Sequence, residues 1–98
     1  MTSPTFEWDP QKGADNLKTH RIGFDEAATV FHDPLAKILD DPDHSAGESR
    51  AIILGHSLQG HLLLVSFVER GSNIRLISAR RATRRERRDY EEASKDRQ

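Results

Sequence analysis

Residues 74–90 decide the fold, and they read Ile74-Arg75-Leu76-Ile77-Ser78-Ala79-Arg80-Arg81-Ala82-Thr83-Arg84-Arg85-Glu86-Arg87-Arg88-Asp89-Tyr90. The first half is apolar and β-branched, which predicts a strand, whereas the second half is so rich in charged residues that only a solvated helix fits it. Thr83 and Glu86 have the spacing of a capping box, in which each side chain bonds the backbone N–H of the other. The stretch therefore predicts a strand that ends at Arg80 and a helix that begins after Thr83.

Three further apolar segments precede this strand. The segment at residues 62–68 is apolar on both faces, so we expect it to be the central strand, with helices covering at least one side. The connections at residues 57–60 and 70–73 have turn compositions of hairpin length, which makes neighbouring strands antiparallel. Residues 36–80 therefore predict a four-stranded antiparallel meander, with strands at residues 36–40, 50–56, 61–69 and 74–80.

The chain begins with a predicted short strand and a first helix. Residues 6–8 alternate apolar and polar side chains, and Asp9-Pro10 has the composition of an N-cap followed by proline at the first helical position. We expect the helix to run from Pro10 to Thr19 or His20. Its helical period places Ala14 and Leu17 inward.

Two more helices complete the predicted fold. One lies within residues 24–31, with Asp25 as its N-cap candidate. The other spans residues 84–98, where only Tyr90 and Ala93 are apolar, so we expect it to be the loosest regular element. The sequence thus predicts an α+β fold, in which a short strand and two helices precede the meander and its C-terminal helix.

Length and composition limit the class of protein. The 98 residues form one domain, residues 1–98, with a single modest core. The absence of cysteine excludes disulfides and thiolate metal sites. No apolar run approaches the length of a membrane span, and the first twenty residues lack the apolar core of a signal peptide, so we expect a soluble, cytoplasmic protein.

The charge is unevenly distributed although the net charge is −1. Residues 1–49 hold ten Asp and Glu against four Lys and Arg, whereas residues 50–98 hold six against eleven. Such polarity suits a protein whose basic side contacts a polyanion and whose acidic side contacts a basic partner. The two sets could equally interleave in three dimensions and cancel.

A few side chains are candidates for chemistry. Arg80 is the best placed to bind a phosphate, because a strand end holds it on the rigid part of the fold. Glu48 and Arg50 lie on the same side of the chain, as a base with a phosphate ligand or as an exposed ion pair. His56 and His61 flank one turn, where they could transfer protons or simply be solvated. The five histidines lack metal-site spacing and no glycine-rich phosphate loop is present, so we expect neither metal nor cofactor.

Taken in chain order, the pattern resembles the BrnT family of bacterial toxins, which are relatives of the RelE and ParE toxins. The first helix departs from the family pattern, because Thr19 and Arg21 flank His20 where the family usually has a basic residue and a glycine. The matching pieces cover nearly the whole chain and are specific only together: Phe6-Glu7-Trp8-Asp9 with Lys12, Asn16-Leu17 ending in His20, Phe24-Asp25-Glu26-Ala27, Phe31 with Asp33, Asp43-His44-Ser45 followed by Glu48 and Arg50, Leu54-Gly55, Gly60, and Ile77-Ser78-Ala79-Arg80-Arg81-Ala82-Thr83 with Glu86, Arg87 and Tyr90.

The resemblance implies a RelE-like fold and a metal-independent ribonuclease that inhibits translation. Such cleavage requires activation of the 2′-hydroxyl, stabilisation of charge on the phosphorane and protonation of the leaving oxygen. Arg50 and Arg80 suit the second task, and Glu48 or a nearby histidine could be the base. The remaining basic side chains that we expect to bind RNA are Lys18, His20, Arg81 and Arg84.

The resemblance also implies a protein partner. This is a BrnA-type antitoxin with a ribbon-helix-helix domain, in a heterotetramer of two toxins and two antitoxins that contacts operator DNA only through the antitoxin. We expect the antitoxin to contact the sheet next to residues 80–90. The alternative is a non-catalytic module on the same scaffold that binds nucleic acid or another protein.

Overall fold

The structure, a computed structural model, describes residues 4–40 and 50–96. The predicted loop at residues 41–47 and the candidate base Glu48 lie outside these ranges. The elements in chain order are β1 (Thr5–Glu7), α1 (Pro10–His20), α2 (Phe24–Thr29), a 3-10 turn (Val30–His32), β2 (Lys37–Asp40), β3 (Arg50–His56), β4 (Leu62–Arg70), β5 (Asn73–Arg81) and α3 (Arg84–Asp96).

The sheet has five strands in the order β1-β5-β4-β3-β2. The antiparallel meander of β2 to β5 and the central position of β4 confirm the prediction. The predicted sheet of four strands was wrong, because the short strand β1 joins it as a fifth strand at the edge. β1 pairs in parallel with the start of β5, with Phe6 opposite Ile74. A three-residue strand carries no sequence signal for its partner, and a parallel pair needs a long connection, which the rest of the chain supplies.

Helices α1 and α2 cover one face of the sheet, and the main core there is formed by α2, the residues that flank it and the sheet. Ile22, Phe24 and Val30 pack against buried residues of β3, β4 and β5. Phe31 bridges the two layers, with ring centroids 5.0 Å from Phe67 and 5.2 Å from Phe6. These contacts fix α2 and the 3-10 turn on the sheet.

Helix α2 begins one residue earlier than the predicted cap. Gly23 is the N-cap and makes no side-chain cap hydrogen bond, so the assignment of Asp25 as N-cap was wrong. Asp25 instead lies in the first turn, where a carboxylate favours the helix dipole. Phe24 can then enter the core as the first helical residue.

Helix α1 has the predicted bounds and cap but a different buried face. Asp9 accepts a hydrogen bond from the Gln11 N–H at 2.8 Å, as an N-cap should. The prediction that Ala14 and Leu17 face inward was wrong, because both are exposed, and Leu17 is 52% exposed. The buried residue of this helix is Asn16.

Asn16 is buried because it satisfies an open strand edge. Strand β1 pairs with β5 only as far as Arg75, which leaves the backbone of Ala79 without a strand neighbour on that side. The Asn16 Nδ2 donates to the carbonyls of Ala79 and Ile22, both at 2.8 Å, and its Oδ1 accepts from the Ala79 N–H at 3.0 Å. One amide side chain thus makes the backbone hydrogen bonds that a neighbouring strand would make at Ala79. These bonds join α1 to β5.

The C-terminal helix α3 starts with the predicted capping box. The Thr83 N–H donates to Glu86 Oε1 at 2.8 Å, and the Glu86 N–H donates to Thr83 Oγ1 at 3.1 Å. Tyr90 is buried against Leu54 and Leu62, which confirms it as the apolar anchor. None of the helices in the described part of the chain is long and apolar enough to cross a membrane.

Candidate functional site

The face of the sheet opposite α1 and α2 carries Arg50 and Arg80, the two predicted catalytic arginines, and we call it the open face. Residues directly opposite each other on antiparallel strands point to the same side, so the register defines its side chains. Three rows cross the open face from β2 or β3 to β5: Lys37-Leu54-Leu64-Arg80, Leu39-Ile52-Ser66-Ser78 and Arg50-Val68-Arg75.

A β-bulge turns Arg80 towards the open face. Phe67 pairs with Leu76 and Ser66 pairs with Ser78, so β5 contains one extra residue, Ile77, between these pairs. The extra residue reverses the alternation, which lets Leu76 and then Ala79 face the helices. Without it, Arg80 would lie on the side of Leu76, beneath the helices.

Arg80 is held in place by Glu86 of α3. Its Nη1 and Nη2 donate to Glu86 Oε1 and Oε2 at 2.8 and 2.9 Å, and Nη1 also donates to the Arg81 carbonyl at 3.2 Å. The paired hydrogen bonds to Glu86 raise the pKa of Arg80, and the same bonds lower the pKa of Glu86. The sequence assigned Glu86 only to the cap, whereas it also orients the candidate arginine.

The ion pair leaves Arg80 able to bind a second anion. A guanidinium has five N–H donors, and three of those of Arg80 serve Glu86 and the Arg81 carbonyl. None of the described residues accepts a hydrogen bond from the other two, the Nε–H and one Nη2–H, which together form a second fork for a phosphate or carboxylate. The Arg80 side chain is 39% exposed.

His20 and Arg80 line the same cleft. The cleft has a volume of about 330 Å³ and is bounded by His20, Leu64, Ser66, Ser78, Ala79 and Arg80. His20 is the last residue of α1, and the Asn16 bonds to Ala79 fix that helix against β5. Two residues that the sequence predicted separately therefore share one site, and it also holds two serine hydroxyls that the prediction missed.

Arg50 lies on the open face but away from the cleft. It is level with Arg75, whereas Arg80 is level with Leu54, four positions along β3. Two strand spacings across and four residues along place the two backbones about 16 Å apart. This agrees with the separation of about 15–20 Å expected for a simple meander.

The other predicted RNA ligands are not gathered in this cleft. Lys18 is exposed on α1, and Arg84 is exposed at the start of α3. Arg81 points to the opposite side from Arg80, where its Nη2 is 3.4 Å from His61 Nε2. Of these four additional RNA ligands, Lys18, His20, Arg81 and Arg84, the cleft includes only His20.

The two turn histidines have structural partners instead of simple solvation. His61 Nδ1 lies 2.7 Å from Glu26 Oε2, which also accepts a hydrogen bond from Ser57 Oγ at 2.7 Å. The backbone N–H of His56 donates to Asp33 Oδ2 at 2.8 Å, and the His56 ring packs edge-on against the Tyr90 ring at 5.0 Å between centroids. These contacts attach the β3–β4 turn to α2 and to the residues that precede β2.

Comparison with known proteins identifies the family. The family model for the ribonuclease toxin BrnT of type II toxin-antitoxin systems matches residues 8–86. This range includes the cleft and Glu86. The chain belongs to the BrnT family of ribonuclease toxins. A toxin of this type of system has an antitoxin partner.

A solved BrnT structure has the same fold. The crystal structure of the ribonuclease toxin BrnT from Brucella abortus superimposes with a TM-score of 0.62 and 22% identity, over 85% of this chain and 100% of that chain. Both proteins therefore share an α+β architecture. No curated protein matches the chain.

Proposed function

We propose that this BrnT-family chain is an endoribonuclease toxin that cleaves RNA in the cleft of His20 and Arg80 without a metal ion. The observation that carries the proposal is that Arg80, with two N–H donors that no described residue uses, lines the same cleft as the exposed His20. Ser66 and Ser78 give the cleft a polar floor that can donate to phosphate or ribose oxygens. A BrnA-type antitoxin and inhibition of translation belong to the same proposal.

The chemistry divides between Arg80 and His20. Arg80 binds the scissile phosphate and stabilises the negative charge of the phosphorane, and its two hydrogen bonds to Glu86 orient the guanidinium. An imidazole nitrogen can accept or donate a proton, so His20 can take the 2′-hydroxyl proton or return a proton to the leaving oxygen. Glu48 is the second candidate for proton transfer.

Arg50 and the cleft together suit a strand of RNA. Two arginines about 16 Å apart on one sheet face are too far apart to bind one phosphate, but they can bind separate phosphates of one backbone. Arg50 then positions the strand while Arg80 acts at the cleavage point. Loss of Arg50 should weaken substrate binding more than it slows the chemical step.

The test separates the phosphate role of Arg80 from its contact with α3. Arg80→Gln should lower the rate of RNA cleavage by about 10²–10³-fold, the loss expected for one electrostatic donor, and should relieve growth arrest on overexpression. Glu86→Gln breaks the ion pair that orients Arg80 but leaves the guanidinium in place, so cleavage should fall by about tenfold or less. Arg75→Gln, also on the open face of β5, is the control for general loss of charge.

Three results would contradict the proposal. Equal loss of activity in Arg80→Gln and Glu86→Gln would mean that Arg80 acts only by holding α3. Full activity in Arg80→Gln would remove it from the site. Wild-type protein that binds RNA without cleaving it would favour the non-catalytic alternative.

A further inference from the structure

The open face is divided into a polar half and an apolar half. The polar half is the RNA cleft on β4 and β5. The apolar half lies on β2, β3 and β4, where a groove of about 290 Å³ runs along the N-terminal turns of α3. The apolar side chains that form its floor are Leu39, Ile52, Leu54 and Leu64.

The groove is poorly suited to RNA. Its floor offers no hydrogen-bonding group to phosphate or ribose, and Asp89 of α3 adds a carboxylate to its wall. Leu39 on the edge strand β2 is 44% exposed, so the apolar surface is open to solvent. Exposed apolar surface rimmed by charges is typical of protein-binding sites.

The charges on the rim indicate what kind of protein fits. Lys37 and Arg85 both line the groove, and neither forms an ion pair with the described residues. A partner that presents apolar side chains to the floor and carboxylates to these two cations would complement both features. Three adjacent strands span about 10 Å, which is close to the diameter of one helix with its side chains.

We propose that the apolar groove binds an amphipathic, acidic helix of the antitoxin, an inference that rests on the proposed toxin function. Leu64 and the Arg80–Glu86 ion pair separate the groove from the RNA cleft, because Leu64 borders both and Glu86 borders the groove while Arg80 borders the cleft. A helix seated there would stand beside Arg80 and obstruct the approach of RNA. The antitoxin would thus block the cleft from the neighbouring half of the same sheet face.

Adjacent residues of β2 provide a matched test. Leu39 points into the groove, whereas Ile38 is 60% exposed and points to the other face of the same strand. The purified product of the reading frame beside the toxin gene serves as the antitoxin in titration calorimetry. Leu39→Glu should weaken its binding at least about tenfold, or 1.4 kcal/mol, and Ile38→Glu should leave it within about threefold.

Two further measurements show whether a loss of antitoxin binding is specific to the groove. Leu39→Ser, a milder change, should weaken antitoxin binding in the same direction and by less. Binding of a 2′-O-methyl RNA oligonucleotide, which the toxin cannot cleave, should be unaffected in the Leu39 variants, since Leu39 does not border the cleft.

Several results would overturn the inference. Equal antitoxin affinity for wild type and Leu39→Glu, or equal losses for Leu39→Glu and Ile38→Glu, would exclude the groove as the docking site. Loss of RNA affinity with unchanged antitoxin affinity would make it an RNA surface, and loss of a toxin dimer instead would make it a self-association surface. Titration does not require catalysis, so absence of cleavage by the wild type would refute the proposed function without affecting this test.

Discussion

Replacement of Tyr90 by Phe should loosen α3 by removing one hydrogen bond to Asp33. The Tyr90 hydroxyl donates to Asp33 Oδ2 at 2.8 Å, and the same carboxylate accepts the N–H groups of His56 at 2.8 Å and Leu35 at 2.9 Å. Asp33 therefore links α3, β3 and the segment before β2. Phe retains the edge contact of the ring with His56, at 5.0 Å between centroids, so the variant isolates the hydroxyl.

The expected loss follows from the burial of both groups. The Asp33 side chain is 9% exposed and Tyr90 is 6% exposed, so water replaces the lost hydrogen bond poorly. A hydrogen bond to an ionised group contributes about 1.5–3 kcal/mol, and Asp33 keeps two backbone donors, which places the loss near about 1.5–2 kcal/mol. For a domain of this size, that lowers Tm by about 6–15 °C.

The effect should depend on pH. Burial acts to raise the pKa of Asp33, but the bonds from the His56 and Leu35 N–H groups and the Tyr90 hydroxyl outweigh it and lower the pKa below its ordinary 3.8. A carboxyl whose folded-state pKa is depressed stabilises the fold above its unfolded pKa, and this contribution is lost as the pH falls through the folded value. The difference in Tm between wild type and Tyr90→Phe should therefore be full at pH 7 and shrink below pH 3.8.

Thermal unfolding of Tyr90→Phe, Asp33→Asn and the double variant, followed by circular dichroism at pH 7 and at pH 3, checks this reasoning. The double-mutant cycle should give a coupling energy of about 1 kcal/mol or more at neutral pH. A Tm difference that stayed the same as the pH fell through the folded-state pKa of Asp33 would mean that the hydroxyl does not depend on an ionised Asp33. No difference at pH 7 would show that solvent replaces the hydrogen bond.

Two other predictions concern the buried face of α1 and the dynamics of α3. Asn16→Asp keeps the shape of the side chain but turns a carboxylate oxygen towards the Ala79 and Ile22 carbonyls, so urea unfolding should show a loss of about 3–5 kcal/mol, against about 0.5 kcal/mol or less for Leu17→Ala on the exposed face. In the free toxin, backbone amides beyond Tyr90 should exchange hydrogen rapidly, and the antitoxin should slow exchange across residues 80–90. Strong protection of all of α3 in the free protein would contradict the second prediction.

The strands and the start of α3 were predictable because their signals are local. Each strand of the meander is an apolar run bounded by a turn, and the Thr83–Glu86 box depends on residues three apart. Tyr90 was identified as the anchor of α3 because almost every other side chain of the helix is charged. These features need no knowledge of which elements are neighbours.

The burial of Asn16 was not predictable in the same way. The helical period marked Ala14 and Leu17 as the inward residues, and periodicity treats a polar residue between them as exposed. Asn16 is buried only because β1 stops short and leaves Ala79 with an unpaired edge. That fact belongs to the sheet topology, which no pattern within α1 encodes.

The sequence contains a signal for the bulge at Ile77 that the strand prediction did not use. Apolar and polar residues alternate along this strand except at Leu76 and Ile77, which are adjacent and both apolar. Such a break in the two-residue period indicates an extra residue in the strand. Counting back from the buried Ala79 by twos gives Ile77 in place of Leu76 as the core residue. The structure buries Leu76 and leaves Ile77 partly exposed, so the reversal can be located between them.

The two roles of Glu86 couple the start of α3 to the orientation of Arg80 in the cleft. The carboxylate accepts the Thr83 N–H and the Arg80 guanidinium at once, so the first turn of α3 cannot unwind without releasing Arg80. Fraying of the distal turns leaves this arrangement intact, because Tyr90 and the capping box hold the proximal part. A partner bound in the groove beside Glu86 would therefore contact the segment that fixes the orientation of Arg80. A partner bound to the distal turns of α3 would instead leave the cleft open to RNA.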